Sequence, residues 1–412
     1  MKKVLVIGYV WPEPDSSAAG GHMMSILHLF KQQGWLVEFT TPSQPTEHMI
    51  DLASEGISTQ SIKLNCDSFD AYVSDYQPDV VMFDRFMMEE QFGWRVEGAC
   101  PTALKILDTE DLQCLRHARH QAFRAKRDLT QEDLFSDLAK REIAAILRCD
   151  ISLIISSFEM ELLVDTFKVD ASLLHHLPFM VELEECPDKT MPFSERKHFM
   201  TIGNFRHAPN WDAVLYLQTI WPLIKQQLPD AELHIYGAYP PPKATALNNH
   251  KTGFLIKGWA ENSFTVMETS RVCLAPLRFG SGIKGKLLDA IIMQTPSITT
   301  SVGSEGMHQD EPWPGVITDD INEFTAAAVN LYNNEQAWHS AQQKGVALLK
   351  ARFDGNTLGA QLIMKITDVE ENLEQHRLNN FTGAMLKHHS MASTKYMSQW
   401  IAAKNKNQLG DG

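Results

Sequence analysis

The stretch GSGIKGKLLDAIIMQTPSITTSVGSEG, from Gly280 to Gly306, concentrates the residues best suited to chemistry: Ser281 between two glycines, then Lys284, Lys286 and Asp289. A small-residue loop running into an apolar amphipathic stretch predicts a helix, KGKLLDAIIM. Its first amides have no intrahelical partner and attract an anion, so Ser281, Gly282 and Ile283 are read as the entrance to a phosphate site. The helix dipole contributes about 0.3–1 kcal/mol there. A charged hydrogen bond from Lys284 would contribute about 1.5–3 kcal/mol, so Lys284 is the main phosphate ligand expected. Lys286, two positions on and on another helical face, reads as a solvated surface charge. Asp289 reads either as an acceptor for ribose hydroxyls, the job of a carboxylate in dinucleotide folds, or as an acid on a solvated face. The chemistry implied is capture of a phosphate with a sugar attached.

Other segments could contribute. Gly20 and Gly21, in the loop after the first apolar run, would let backbone approach a ligand, or mark a plain loop. ILDTEDLQCLR places Asp108, Glu110 and Asp111 together, either as working carboxylates or as an acidic helix start capped by Asp111 or Thr109. The basic run HARHQAFRAKR, His117 to Arg127, reads as a solvated helix face, with contact to an anionic membrane or lipid-linked acceptor as the alternative. The sixteen histidines show no HExxH-type grouping, and adjacent His175 and His176 cannot easily share an ion, so no metal is expected.

What must position these residues is an alternation of short apolar runs with longer amphipathic stretches, the pattern of parallel strands and crossover helices. KVLVIGY, WLVEFTTP, DVVMFDR, ALKILDT and ISLIISS form one series. HFMTIGNF, AELHIYGA, GFLIKGW, VCLAPL, PSITTS and GVITDD form a second. Two series imply two doubly wound domains, with ligand at the carboxyl ends of the strands and in the cleft between them. The expected divisions are 1–182, 197–350, a returning segment 351–375 and a tail 376–412. The boundary falls in the polar stretch VELEECPDKTMPFSERKH, and FTGAMLKHHSMASTKYMSQWIAAKNKNQLGDG, from Phe381, reads as one loose amphipathic helix with a polar tail, without assigned function.

Composition sets limits. A chain of 412 residues, 44% hydrophobic and 21% charged, suits two or three globular domains. Its net charge of −14 excludes a general nucleic-acid binder, which needs excess Lys and Arg. The six cysteines are scattered, as expected of reduced thiols in a cytoplasmic protein. MKKVLVIGYVWPEP reads as a buried strand rather than a signal peptide, and no window approaches the ~20 apolar residues of a membrane span.

The chain resembles the GT-B glycosyltransferases of glycosyltransferase family 4 over most of residues 1–365. GSGIKGKLLDAIIMQTPSITTSVGSEG is similar to the family's donor-site stretch, GNFRHAPNWDAVLYLQTIWPLI to the opening of its donor-binding domain, and ILDTEDLQCLRHAR with EIAAILRCDISLIISSFEMELL to its acceptor-side domain. The resemblance implies two Rossmann-like domains, a nucleotide-diphosphate-sugar donor, a glycan or lipid-linked acceptor, no metal or other cofactor, and retention of anomeric configuration. Gly203 and Asn204 begin the donor domain's first loop, and Arg206 falls near the family's phosphate-binding arginine. The lysine that often follows that arginine is replaced by Asn210. Trp259 and Ala260 fall where the nucleotide base packs. Of the family's two glutamates spaced by seven residues, the first is Ser281 here and the second Asp289, while some subgroups carry a basic residue where Lys284 stands. In a DxxDxH-like segment Gln113 takes the histidine's place, and a glutamine can hydrogen-bond but cannot act as a base.

The expectation is therefore a cytoplasmic glycosyltransferase, with peripheral contact at the inner face of a membrane left open. Lys284, Arg206 and Asp111 would do the catalytic work. Two other readings stay open: a catalytically degenerate GT-B module binding nucleotide, glycan or a partner protein, and a sugar-nucleotide epimerase, for which no acid/base set is visible.

Overall fold

The structure, a computed structural model, describes residues 1–187 and 189–410. Asp188, within the expected boundary, and Asp411 and Gly412 of the expected tail lie outside the described residues. Seven strands, β1 (Lys3–Ile7), β2 (Leu36–Thr41), β3 (Ser58–Ser61), β4 (Val80–Asp84), β5 (Leu104–Asp108), β6 (Ile151–Ile154) and β7 (Leu174–His176), form one sheet. Six more form a second: β8 (Lys197–Ile202), β9 (Leu233–Tyr236), β10 (Phe254–Gly258), β11 (Ser270–Ala275), β12 (Ser297–Thr299) and β13 (Gly315–Ile317). The orders are β3-β2-β1-β4-β5-β6-β7 and β10-β9-β8-β11-β12-β13, every pairing being parallel. Strand order reverses between β1 and β4 and between β8 and β11, the crevices where such folds take ligands.

The runs VLVI and VVMF are apolar throughout because both faces of each sheet are covered by helices. Leu5 and Ile7 pack on one side with Val81 and Phe83, while Val4 and Val6 pack on the other with Val80 and Met82. The edge strands β3 and β7 carry no such run and lie outside the two series read from sequence. Ser58–Ser61 reads STQS and is fully exposed, so burial writes no apolar pattern into it.

The helix Gly355–Glu371 returns to the first domain, where Leu362, Ile366 and Val369 enter its core. Lys2 pairs with Glu370 at 2.5 Å. A further apolar cluster joins the two halves through Ile155, Phe179 and Val181 with Ile283, Leu287, Met307 and Phe353. The segment from Phe381, expected as one helix, is one, Phe381–Gly410, with a short helix, Leu373–Asn379, before it.

Candidate active site

The carboxyl ends of both sheets face a cleft of about 2230 Å³, lined among others by Gly203, Asn204, Arg206, Trp259, Ala260 and Asp289. The donor-type loop enters it after β11. Gly282 adopts φ +61, and a Cβ there would meet Asp111 at 2.9 Å, so only glycine brings the loop this close to the first domain. The helix that follows, Gly285–Ile292, starts one residue later than expected, with Lys284 at its N-cap and no side chain capping it.

The loop is held from the other domain. Glu159, in the short helix after β6, accepts the Gly282 amide at 2.7 Å and the Leu112 amide at 3.1 Å. The expected free amide at Gly282 is therefore already taken, and the uncapped amides belong to Gly285 and Lys286. Asp111 accepts a hydrogen bond from the Ser281 hydroxyl and pairs with Arg116 at 2.5 Å. Burial acts to raise its carboxyl, but Arg116 and the Ser281 hydroxyl outweigh it and hold the group below the ordinary aspartate range. Neither Asp111 nor Thr109 caps the following helix. Glu142 accepts the Gln113 and Cys114 amides instead, and Thr109 donates to the Leu153 carbonyl. Gln113 lines the cleft, with its side chain directed at the Met87 sulfur, 3.8 Å away.

The basic run is a solvated face only in part: His117, Arg124, Lys126 and Arg127 are exposed, whereas Arg119 and His120 are half-buried. Arg119 forms a two-pronged bond with Glu305 at 2.7 and 2.8 Å and also donates to the Gly280 carbonyl at 2.9 Å. His120 stacks on Phe279 at 4.6 Å. The helix Gln113–Arg124 thus clamps the donor-type loop, and Glu305 of the GxEG segment is its counter-ion.

Two lysines point into the cleft. Lys284 donates to the Ser281 and Gly282 carbonyls at 3.2 and 2.8 Å. Lys286, expected on a solvated face, lines the same cleft and donates to Asn210 Oδ1 at 2.8 Å. The helix is short and lies along the cleft floor, so positions two apart both reach it. Burial pulls each ammonium down to about 8, with mutual repulsion adding to the effect on Lys286. Asp289 lines the cleft too, its carboxyl pushed up to about 7 by burial, which rules out the solvated-face reading.

Other expected residues are placed differently. Gly20 and Gly21 lie within the helix Ala18–Gln32, not before it. Ser17 accepts both of their amides, and Gly20 packs on the Glu13 backbone, so neither amide awaits an anion. Arg206 is exposed at the rim, its guanidinium 3.7 Å over Tyr239. Trp259 stacks on His48 of the first domain at 4.2 Å, so one ring face is covered. His22, which sequence reasoning passed over, lines the cleft with Nδ1 unpartnered. Burial lowers it to about 4, keeping it neutral.

Among the described residues one group has metal-ligand geometry, His198, Glu232 and His234, at the opposite ends of β8 and β9 from the cleft. His198 Nδ1 accepts the Glu232 amide, which leaves the proton on Nε2, so neither ring nitrogen is free to ligate. Spacing in sequence hid this group because parallel pairing, not helical periodicity, assembles it.

Two facing parallel-sheet domains, with lysines, helix amides and an acid converging on the cleft between them, have the architecture of the GT-B fold. Residues 196–334 match the family model described as Glycosyl transferases group 1. Sucrose-phosphate synthase from Thermosynechococcus elongatus superposes with a TM-score of 0.65 at 14% identity, over 90% of this chain and 99% of that one. TarM from S. aureus gives 0.69 at 10% identity, over 89% and 98%. Anabaena HepE in complex with UDP-glucose gives 0.66 at 10% identity, over 89% and 100%. No curated protein matches the chain by sequence.

Proposed function

We propose that this glycosyltransferase moves a sugar, with retention of anomeric configuration, from a nucleoside-diphosphate donor held by the second domain to a glycan or lipid-linked glycan at the first. The observation that carries the reading is the pairing of Lys286 with Asn210. The resemblance leaves a lysine missing at Asn210, and the Lys286 ammonium stands beside that position. With Lys284 and the uncapped amides of Gly285 and Lys286, it supplies positive charge where a leaving diphosphate gains negative charge. The lysines do this work without a metal. Asp289 takes the ribose hydroxyls, Trp259 and Ala260 border the base, and Arg206 closes the rim. Asp111 and Ser281 sit where the donor sugar would meet the first domain. A domain cleft of this depth excludes water from the departing group.

The test is a thermal-shift screen of nucleoside diphosphates and their sugars on the full chain, starting with uridine nucleotides because HepE was captured with UDP-glucose. A ligand at one hundred times its Kd stabilises by about 2.7 kcal/mol. Donors that stabilise are then followed for diphosphate release with and without glycan acceptors, and products for anomeric configuration. A donor that binds but is neither hydrolysed nor transferred overturns the reading and restores the degenerate module.

A further inference from the structure

The C-terminal helix Phe381–Gly410 packs along the helices Phe86–Ala99 and Asp137–Arg148 of the first domain. It is anchored there by buried Ser398, which accepts a hydrogen bond from Arg95 at 2.9 Å, and by buried Gly383 against the Leu147 carbonyl. The opposite side of the helix is uncovered, and large apolar and aromatic side chains stand there beside Thr382 and Gln399. Phe381 is 75% exposed, Met385 48%, Tyr396 66% and Trp400 61%. At 3.6 residues per turn these four fall within an arc of about 100° turned away from the domain. Exposed Lys395 and Lys404 flank the stripe, and Lys404 lies 5.4 Å over the Trp400 ring.

Charge selects the occupant. Residues 381–410 contain four lysines and two histidines and not one Asp or Glu, in a chain of net charge −14. A second copy docked through this stripe would set lysine against lysine, with no acid on the helix to answer them. An anionic lipid surface answers both features: its charge meets the lysines, and its headgroup layer suits Tyr and Trp, apolar in body and polar at the tip. No helix among the described residues is long and apolar enough to cross a membrane, so this one would lie on the surface rather than span it.

We infer that the helix Phe381–Gly410 is a membrane-surface element that docks the enzyme on anionic phospholipid through Phe381, Met385, Tyr396 and Trp400, with Lys395 and Lys404 at its flanks. This inference stands apart from sugar transfer, since the helix contributes nothing to the cleft.

Full-length protein is sedimented with sucrose-loaded vesicles of phosphatidylcholine alone or mixed with phosphatidylglycerol. The parent should bind the mixed vesicles, bind neutral ones weakly, and be released by salt. The pair K395E and K404E should lower partitioning about tenfold or more, and Y396S with W400S should do likewise. Lys395, Tyr396, Trp400 and Lys404 all face solvent, so the melting temperature and cleft-borne activity should stay at parental values. The inference fails if the parent ignores anionic vesicles, if it binds neutral ones equally, or if the variants bind like the parent. It also fails if W400S instead turns a solution dimer into a monomer without affecting vesicle binding.

Discussion

Lys286→Ala tests the proposed donor site most sharply, because sequence and structure disagree about this residue. In the cleft the ammonium makes one hydrogen bond, to Asn210 Oδ1 at 2.8 Å, and burial has already drawn it down to about 8. Without ligand it is a desolvated cation with a single neutral partner. Removing it should leave the stability of the free protein within about 0.5 kcal/mol, the more so because Ala and Lys are both good helix formers. With donor bound, the same ammonium gains a diphosphate oxygen. A charged hydrogen bond of about 1.5–3 kcal/mol then corresponds to about a 10- to 150-fold loss in kcat/KM. Asn210→Lys in the Lys286→Ala background should recover about tenfold of that by returning a cation to the same spot. The assay is nucleoside diphosphate release from the stabilising donor, alongside thermal melts of the free proteins. A kcat/KM within about threefold of the parent would refute the assignment. So would a loss explained by unfolding, or a double variant no better than the single one.

Three further outcomes follow from the same geometry. Because Asp289 must be ionised to accept ribose hydroxyls and the lysines protonated to meet phosphate, kcat/KM should rise with pH through about 7 and fall above about 8, a bell that a flat profile over this range would disprove. Arg119→Ala frees the Gly280 carbonyl and leaves Glu305 unpaired at the domain junction, so it should raise KM for donor and lower the melting temperature together, and an unchanged KM would argue against the clamp. Burial pushes the Glu159 carboxyl up to about 8, so Glu159→Gln, which keeps one acceptor for the Gly282 and Leu112 amides, changes little charge near neutral pH and should destabilise far less than Glu159→Ala, which strands both amides. Equal melting temperatures for the two variants would contradict this.

The alternation of apolar runs is enough to locate both sheets, because a strand buried on two faces is predominantly apolar and so announces itself in one dimension. Edge strands obey no such constraint, and Ser58–Ser61 gives no signal. The donor-type loop is legible for a similar reason: glycine, lysine and an acid beside a helix start are chemically unusual wherever they occur. What only the tertiary structure decided are the partnerships between segments far apart in sequence. Lys286 reads as solvated until the helix is laid along the cleft floor beside Asn210. Arg119, in the basic run, reads as solvated until it meets Glu305. Gly282 offers a free amide until Glu159, from the other domain, accepts it. Local sequence reports which side chains are charged and which helical face they share. It cannot report what the rest of the fold brings to them, because that depends on how segments far apart in the chain are packed together, and it is burial in the folded chain that pulls the lysines down and pushes Asp289 up.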